Sequence, residues 1–165
     1  MRAPGKDTLN PENVTISFEP EAAPGDIALV REALHRFNFD ATALTQHHDV
    51  NIFVRDAAGE IRGGLIGYVW GEWLHVTDLW IGAEYRRRGL GSELLDRAER
   101  EAAGVGARGA FLSTFDFQAP EFYKGRGYEV YAALTGYPPG HTDYHLRKVF
   151  KAPEASPSNG LGSRS

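Results

Sequence analysis

Residues 79–92 read LWIGAEYRRRGLGS, and this stretch decides the fold class of the chain. It joins an apolar run, which predicts a buried strand, to residues 92–103, where the spacing of apolar side chains predicts a helix. The predicted buried face of that helix consists of Leu94, Leu95, Ala98 and Ala102. A strand that continues through a helix into another strand typically forms a crossover between parallel neighbours. The segment RRRGLGS, residues 86–92, is named here the arginine turn, and it lies where this crossover helix begins.

Short strands and helices are predicted on both sides of this stretch. Before it, strands are predicted over residues 14–18, 51–55, 61–70 and 73–81, with a helix that begins near Pro24 and has Asp26 as its N-cap. After it come a strand over 108–114, a short helix over 119–124, and strands over 128–132 and 142–150. This order predicts an α/β fold of the α+β type, with a central mixed sheet flanked by helices.

Composition limits the class of protein. The chain has 165 residues, a net charge of -4 and no cysteine, so it cannot form disulfides or use a cysteine nucleophile. With no basic excess and no long apolar run, we expect neither a nucleic acid nor a membrane as partner. The polar N-terminus does not look like a secretory signal, which favours a cytoplasmic location. We expect a flexible segment over 1–12, one folded domain over 13–150 and a disordered tail over 151–165.

The arginine turn has the features of a polyphosphate site. A helix N-terminus offers free backbone N–H groups and a partial positive charge, and three arginines add to that charge. Gly89 and Gly91 allow the backbone to approach a phosphate and to adopt φ values that side chains resist. The glycine pattern of a Rossmann fold and the Gly-Lys-Ser/Thr ending of a P-loop are both absent from this turn. The alternative is that it forms only a solvated connection between strand and helix.

Two motifs together resemble the GNAT superfamily of N-acetyltransferases. In residues 79–91, Arg86, Gly89 and Gly91 occupy the three defining positions of the family's first motif. Residues 119–128, APEFYKGRGY, are similar to its later motif, and the likeness extends over about residues 14–150. A finer resemblance, to a bacterial subgroup of small-molecule-type enzymes, rests on the segments TFDFQAP (114–120), YPPGH (137–141) and RK (147–148).

The resemblance implies that acetyl-CoA is the co-substrate and that a small-molecule amine attacks its thioester directly. The implied cofactor contacts are Leu79, Trp80, Ile81, Arg86, Arg87, Arg88, Gly89, Leu90, Gly91, Ser92, Asp116 and Tyr123. At position 116 many relatives carry Asn, so the Asp of this chain departs from the family's pattern.

The same resemblance suggests catalytic roles. Tyr123 lies where the family has its general acid, and a backbone N–H near Ile81 would stabilise the oxyanion. His75 is the first candidate for the base and Asp78 is the second. Strict strand alternation places His75 on the face of Leu79 and Ile81, and Asp78 on the opposite face unless a bulge shifts the register.

The acceptor is less well defined by the sequence. Phe37, Phe39 and His141 are the candidate acceptor contacts, and no metal is expected. A protein or peptide N-acetyltransferase and a non-catalytic acyl-CoA sensor remain alternatives, and a homodimer is an open option for assembly.

Overall fold

The computed structural model describes residues 14, 16–44 and 47–150, which belong to two compact units. The first unit, residues 1–43, contains helix α1, Pro24–Thr42, and the second unit, residues 44–165, contains the sheet. The predicted flexible ends lie outside the described residues, and the predicted boundary of one domain over 13–150 stays a prediction. None of the helices in these described ranges is both long and apolar enough to cross a bilayer.

Two predictions for the first unit were wrong. Helix α1 has Ala23 as its N-cap and Pro24 at its first position, so Asp26 lies inside the first turn. Pro24 suits that position because its φ is already helical and its missing N–H would have no partner there. Residues 14 and 16–18 are not in a strand, although their side chains alternate. An alternating pattern of side chains does not by itself supply the neighbouring strand with which a β-strand pairs its backbone N–H and C=O groups.

The second unit is built on a six-stranded mixed sheet, which confirms the predicted fold class. Its strands are β1 His48–Arg55, β2 Ile61–Trp70, β3 Trp73–Ile81, β4 Gly109–Phe115, β5 Glu129–Thr135 and β6 Thr142–Val149. They are arranged in the order β1-β2-β3-β4-β6-β5, and every neighbouring pair is antiparallel except β3 and β4. The single parallel pair lies at the centre of the sheet.

Helix α2, Leu90–Gly104, connects the two parallel strands and packs on one face of the sheet. All four residues of its predicted apolar face are buried, so the helical period was assigned correctly. The side chains of Leu65, Leu74, Leu95 and Leu146 are fully buried in the hydrophobic core. Each such leucine contributes on the order of 2 kcal/mol through its burial. A short helix α3, Pro120–Gly125, follows β4.

A β-bulge interrupts the pairing of β2 with β3. Ile66 lies opposite Asp78 and Gly67 lies opposite Val76, so Thr77 is the extra residue on β3. The Thr77 hydroxyl donates a hydrogen bond of 3.1 Å to the Ile66 carbonyl. Because a bulge adds one residue to one strand, the side chains beyond it change faces relative to strict alternation.

Candidate active site

A cleft opens between β3 and β4. The two strands pair at only three positions, Trp73 with Gly109, Leu74 with Ala110 and His75 with Phe111. Beyond them, Val76 and residues 78–81 of β3 pair with β2 while residues 112–115 of β4 pair with β6. The facing edges of β3 and β4 are therefore no longer joined to each other over these residues, and this opening is named here the cleft.

Backbone groups of β3 point into the cleft. The Gly82 N–H donates to the Arg62 carbonyl at 2.8 Å, which places residue 82 in a hydrogen-bonded pair with β2. In an antiparallel ladder such pairs recur at every second residue. The amide groups of Leu79 and Ile81 therefore face away from β2 and towards the cleft. Their predicted contact with the amide groups of a bound cofactor stays a prediction.

The arginine turn adjoins the cleft and is held by its own side chains. The Arg86 Nε donates to the Ile81 carbonyl at 3.0 Å, and the Arg88 guanidinium lies 5.4 Å from the centre of the Tyr85 ring. Gly89 has a φ of 81°, which strongly favours glycine, and a β-carbon added there would meet nothing within 4 Å. At Gly89 the backbone of the turn therefore faces open space, with no side chain to cover it.

The start of α2 is suited to binding an anion. Gly89 is its N-cap, and no side chain accepts a hydrogen bond from the first turn of the helix. The first N–H groups of a helix have no acceptor within it, so they remain available to an anion. The prediction for Gly91 was partly wrong, because Gly91 is an ordinary helical residue without a positive φ. A side chain there would contact the Phe122 ring at 3.6 Å.

Tyr123 lies on α3 and is almost fully buried. Its ring makes edge contacts with Phe122 and Tyr128, at centroid distances of 5.0 and 5.9 Å. Burial raises the pKa of Tyr123 to about 12, since the charged phenolate would be poorly solvated. The hydroxyl is consequently protonated at neutral pH, as its predicted role as a proton donor requires.

The bulge in β3 changes the predicted arrangement of the candidate bases. His75 and Asp78 lie opposite Tyr68 and Ile66 of β2, which both point away from α2, so His75 and Asp78 share one face of the sheet. The expectation that Leu79 and Ile81 share the face of His75 was wrong, because the extra residue Thr77 turns them to the α2 side.

His75 is held by two aromatic neighbours, Tyr68 and Phe111, that no sequence motif indicated. Its Nδ1 lies 2.9 Å from the Tyr68 hydroxyl, and its ring stacks on Phe111 with 4.4 Å between centroids. Burial lowers the pKa of His75, so the imidazole is neutral at pH 7 and able to accept a proton. The sequence does contain a signal for the contact with Tyr68. If Gly71-Glu72 forms a two-residue turn, Tyr68 and His75 lie opposite each other on the two strands that it joins.

The remaining candidate contacts lie outside β3 and the arginine turn. Asp116 and His141 are hydrogen-bonded to each other at 2.9 Å, next to the end of β4. Phe37 and Phe39 belong to α1 in the first unit, and their role stays a prediction. A pocket of about 420 Å³ between β1 and α2 contains none of the predicted site residues. In residues 14, 16–44 and 47–150, no acidic or histidine cluster suits a metal ion.

Comparisons with known proteins show the family of this chain. A model of the acetyltransferase (GNAT) family matches residues 17–128, well over half of the chain. Blasticidin-S acetyltransferase of Streptomyces morookaense is 48% identical over 91 residues, which cover 54% of this chain and 67% of that protein.

Solved structures share the fold. An acetyltransferase from Bacillus cereus superposes with a TM-score of 0.72 and 28% identity, over 81% of this chain and 98% of the other. A Bacillus anthracis protein solved in complex with acetyl coenzyme A has a TM-score of 0.57 and 18% identity, over 65% of each chain. At that identity the second likeness concerns the fold alone.

Proposed function

The chain belongs to the acetyltransferase (GNAT) family and is an acyltransferase that uses acetyl-CoA, and we propose that it transfers the acetyl group to a primary amine of a small molecule. The observation that carries the proposal is the cleft, which opens between β3 and β4 beside an uncapped helix start. Such a cleft offers strand edges to an extended amide chain and N–H groups to its diphosphate.

In this proposal the arginine turn and the first residues of α2 bind the diphosphate of the cofactor. Arg87 and Arg88 add positive charge, while Arg86 is committed to the Ile81 carbonyl and keeps the turn against the end of β3. The cleft-facing amide groups of Leu79 and Ile81 would pair with the pantetheine amides, as another strand would.

The chemistry then needs three groups. A neutral amine attacks the thioester carbonyl, the C–N bond forms and the C–S bond breaks. A cleft-facing N–H of β3 stabilises the oxyanion, and the Tyr123 hydroxyl donates to the departing thiolate. His75 and Asp78 are the two candidates on β3 for accepting the amine proton. A direct transfer suits a chain that contains no cysteine.

The similarity to blasticidin-S acetyltransferase supports a small-molecule acceptor. The test is to incubate the protein with acetyl-CoA and a panel comprising blasticidin S, spermidine, kanamycin and two peptides, one with a free N-terminus and one with a lysine. Released CoA and product mass are measured. We expect turnover of about 1 s⁻¹ or faster with at least one small amine.

Each outcome separates the alternatives. Acetylation of the peptides alone would reassign the acceptor to proteins. Tight binding of acetyl-CoA by calorimetry, with no turnover of any amine, would favour an acyl-CoA sensor and contradict the proposal.

A further inference from the structure

Asp116 and His141 form an imidazole–carboxylate pair that the scheme above does not use. The His141 Nδ1 lies 2.9 Å from the Asp116 Oδ1. The second carboxylate oxygen accepts a hydrogen bond of 3.1 Å from the Thr142 N–H. The Asp116 N–H in turn donates to the Thr142 carbonyl at 3.0 Å. The carboxylate is thus fixed from both sides before any ligand binds.

The loop between β5 and β6 fixes the histidine as well. The His141 N–H donates to the Pro138 carbonyl at 2.9 Å, and the His141 carbonyl accepts from the Gly136 N–H at 2.8 Å. The ring packs edge-on against Phe117, with 4.8 Å between centroids. The His141 side chain is nevertheless 45% exposed, so the ring is held in place but open to solvent.

This pairing selects one tautomer of His141. An ionised carboxylate can only accept hydrogen bonds, so the Nδ1 that faces Asp116 must carry the proton. The Nε2 is then the proton acceptor, and Asp116 stabilises the imidazolium that forms when Nε2 takes up a proton. His75 lacks this arrangement, because the Tyr68 hydroxyl beside its Nδ1 can both donate and accept.

The pair also lies at the mouth of the cleft. Asp116 follows directly after Phe115, the last residue of β4, and β4 is one of the two strands whose edges form the cleft. Because β3 and β4 are parallel, the end of β4 and the arginine turn after β3 lie at the same end of the sheet.

We propose that the Nε2 of His141, oriented by Asp116, accepts the proton of the acceptor amine; this inference rests on the proposed transfer to an amine. As the C–N bond forms, the amine proton moves to Nε2. The C–S bond breaks, the thiolate accepts a hydrogen bond from Tyr123 and takes its proton from solvent, and His141 later releases its proton to water. His141 thus replaces His75 and Asp78 as the base.

Asp116 is the charged side chain that acts most directly on the His141 imidazole. Of the two carboxylates next to this loop, Asp116 has its Oδ1 2.9 Å from the His141 Nδ1, and Asp143 belongs to β6. Asp143 is directed at His145, with 3.3 Å between its Oδ2 and the histidine Nε2. Asp116 is therefore the carboxylate expected to stabilise a protonated His141.

The test measures pH–rate profiles with acetyl-CoA and the panel amine that the wild type acetylates fastest. His141→Gln should lower kcat/KM for the amine by about 10²-fold or more and remove the acid limb of the profile. Asp116→Asn keeps an acceptor for the Thr142 N–H but loses the charge, and should cost between about tenfold and 10⁴-fold. The KM for acetyl-CoA should stay unchanged in both. Added imidazole should partly restore His141→Ala.

The matched control is the exposed pair His47 and Asp49, whose Nδ1 and Oδ1 lie 3.4 Å apart on and beside β1. His47→Gln and Asp49→Asn should keep the wild-type profile. An acid limb that persists in His141→Gln with kcat/KM within about threefold of wild type overturns the inference. So does a loss of activity that imidazole does not rescue and that accompanies a lower midpoint of thermal unfolding. A wild type that acetylates no amine contradicts the proposed function itself and this inference with it.

Discussion

The phenol of Tyr123 is a weaker acid in the folded protein than in water. With a pKa of about 12, it would have to protonate a thiolate whose conjugate acid titrates near 8.5. Complete transfer is therefore uphill by about 5 kcal/mol. Burial thus favours a hydroxyl that donates a hydrogen bond to the developing thiolate over one that gives up its proton fully.

This reasoning sets the expected size of the Tyr123→Phe effect. Removing one hydrogen bond to a charged group costs about 1.5–3 kcal/mol, so kcat and kcat/KM should fall together by roughly 10- to 150-fold. Steady-state kinetics with acetyl-CoA measure both constants, and thermal unfolding checks that the ring still packs. A raised KM with an unchanged kcat would mean that Tyr123 only positions the cofactor.

His75 makes a separate prediction about stability and pH. Its pKa is lowered by burial, so below about pH 6.5 the unfolded chain binds a proton that the folded protein does not. The free energy of unfolding should therefore decrease as the pH falls from 6.5 towards the lowered pKa. His75→Phe keeps a ring against Phe111 and removes the titration. The fall in the thermal midpoint between pH 7.5 and 5.5 should be smaller in this variant than in wild type.

The other histidines are common to both proteins, so the difference between the two pH curves isolates His75. Parallel curves would show that this imidazole titrates alike in the folded and unfolded chains. The variant is expected to be less stable at high pH, because the contact with the Tyr68 hydroxyl is lost.

At the scale of elements, helix α2 provides a matched pair of glycines. Gly89 before the helix and Gly106 after it both have positive φ, 81° and 95°, and a β-carbon on either would meet nothing within 4 Å. Gly89→Glu and Gly106→Glu should therefore cost similar backbone strain. Only Gly89→Glu adds a carboxylate at the proposed phosphate site, where it should raise the Kd for acetyl-CoA by about tenfold or more.

Isothermal calorimetry on the two folded variants gives the comparison. Equal affinities for acetyl-CoA in both variants would mean that the diphosphate does not bind at the arginine turn. Equal weakening in both would point to strain transmitted through α2.

Elements differed in how far the sequence predicted them. The apolar face of α2 and the strands β2 and β3 were predicted because helical period, strand composition and turn residues are local signals. The bulge at Thr77 has no such signal, since it depends on how β2 and β3 pair. That single residue decides which side chains accompany His75, so the prediction for Leu79 and Ile81 failed.

At the scale of the whole molecule, the sequence predicted a mixed sheet with one crossover, and α2 between β3 and β4 confirms it. It did not predict that β6 separates β4 from β5, because strand order depends on distant contacts. The motifs identified the arginine turn and Tyr123 by themselves. The pairing of Asp116 with His141 joins residues 25 positions apart and required the folded loop.

The three positions that join β3 to β4 also have a mechanical consequence. They are the seam between two antiparallel groups of three strands, β1-β2-β3 and β4-β6-β5, and the seam ends where the cleft opens. A molecule that binds along both open edges would connect the two groups of strands beyond these three positions. Since a ligand that binds only the folded state stabilises it, the resistance of this sheet to unfolding is coupled to the supply of its own co-substrate.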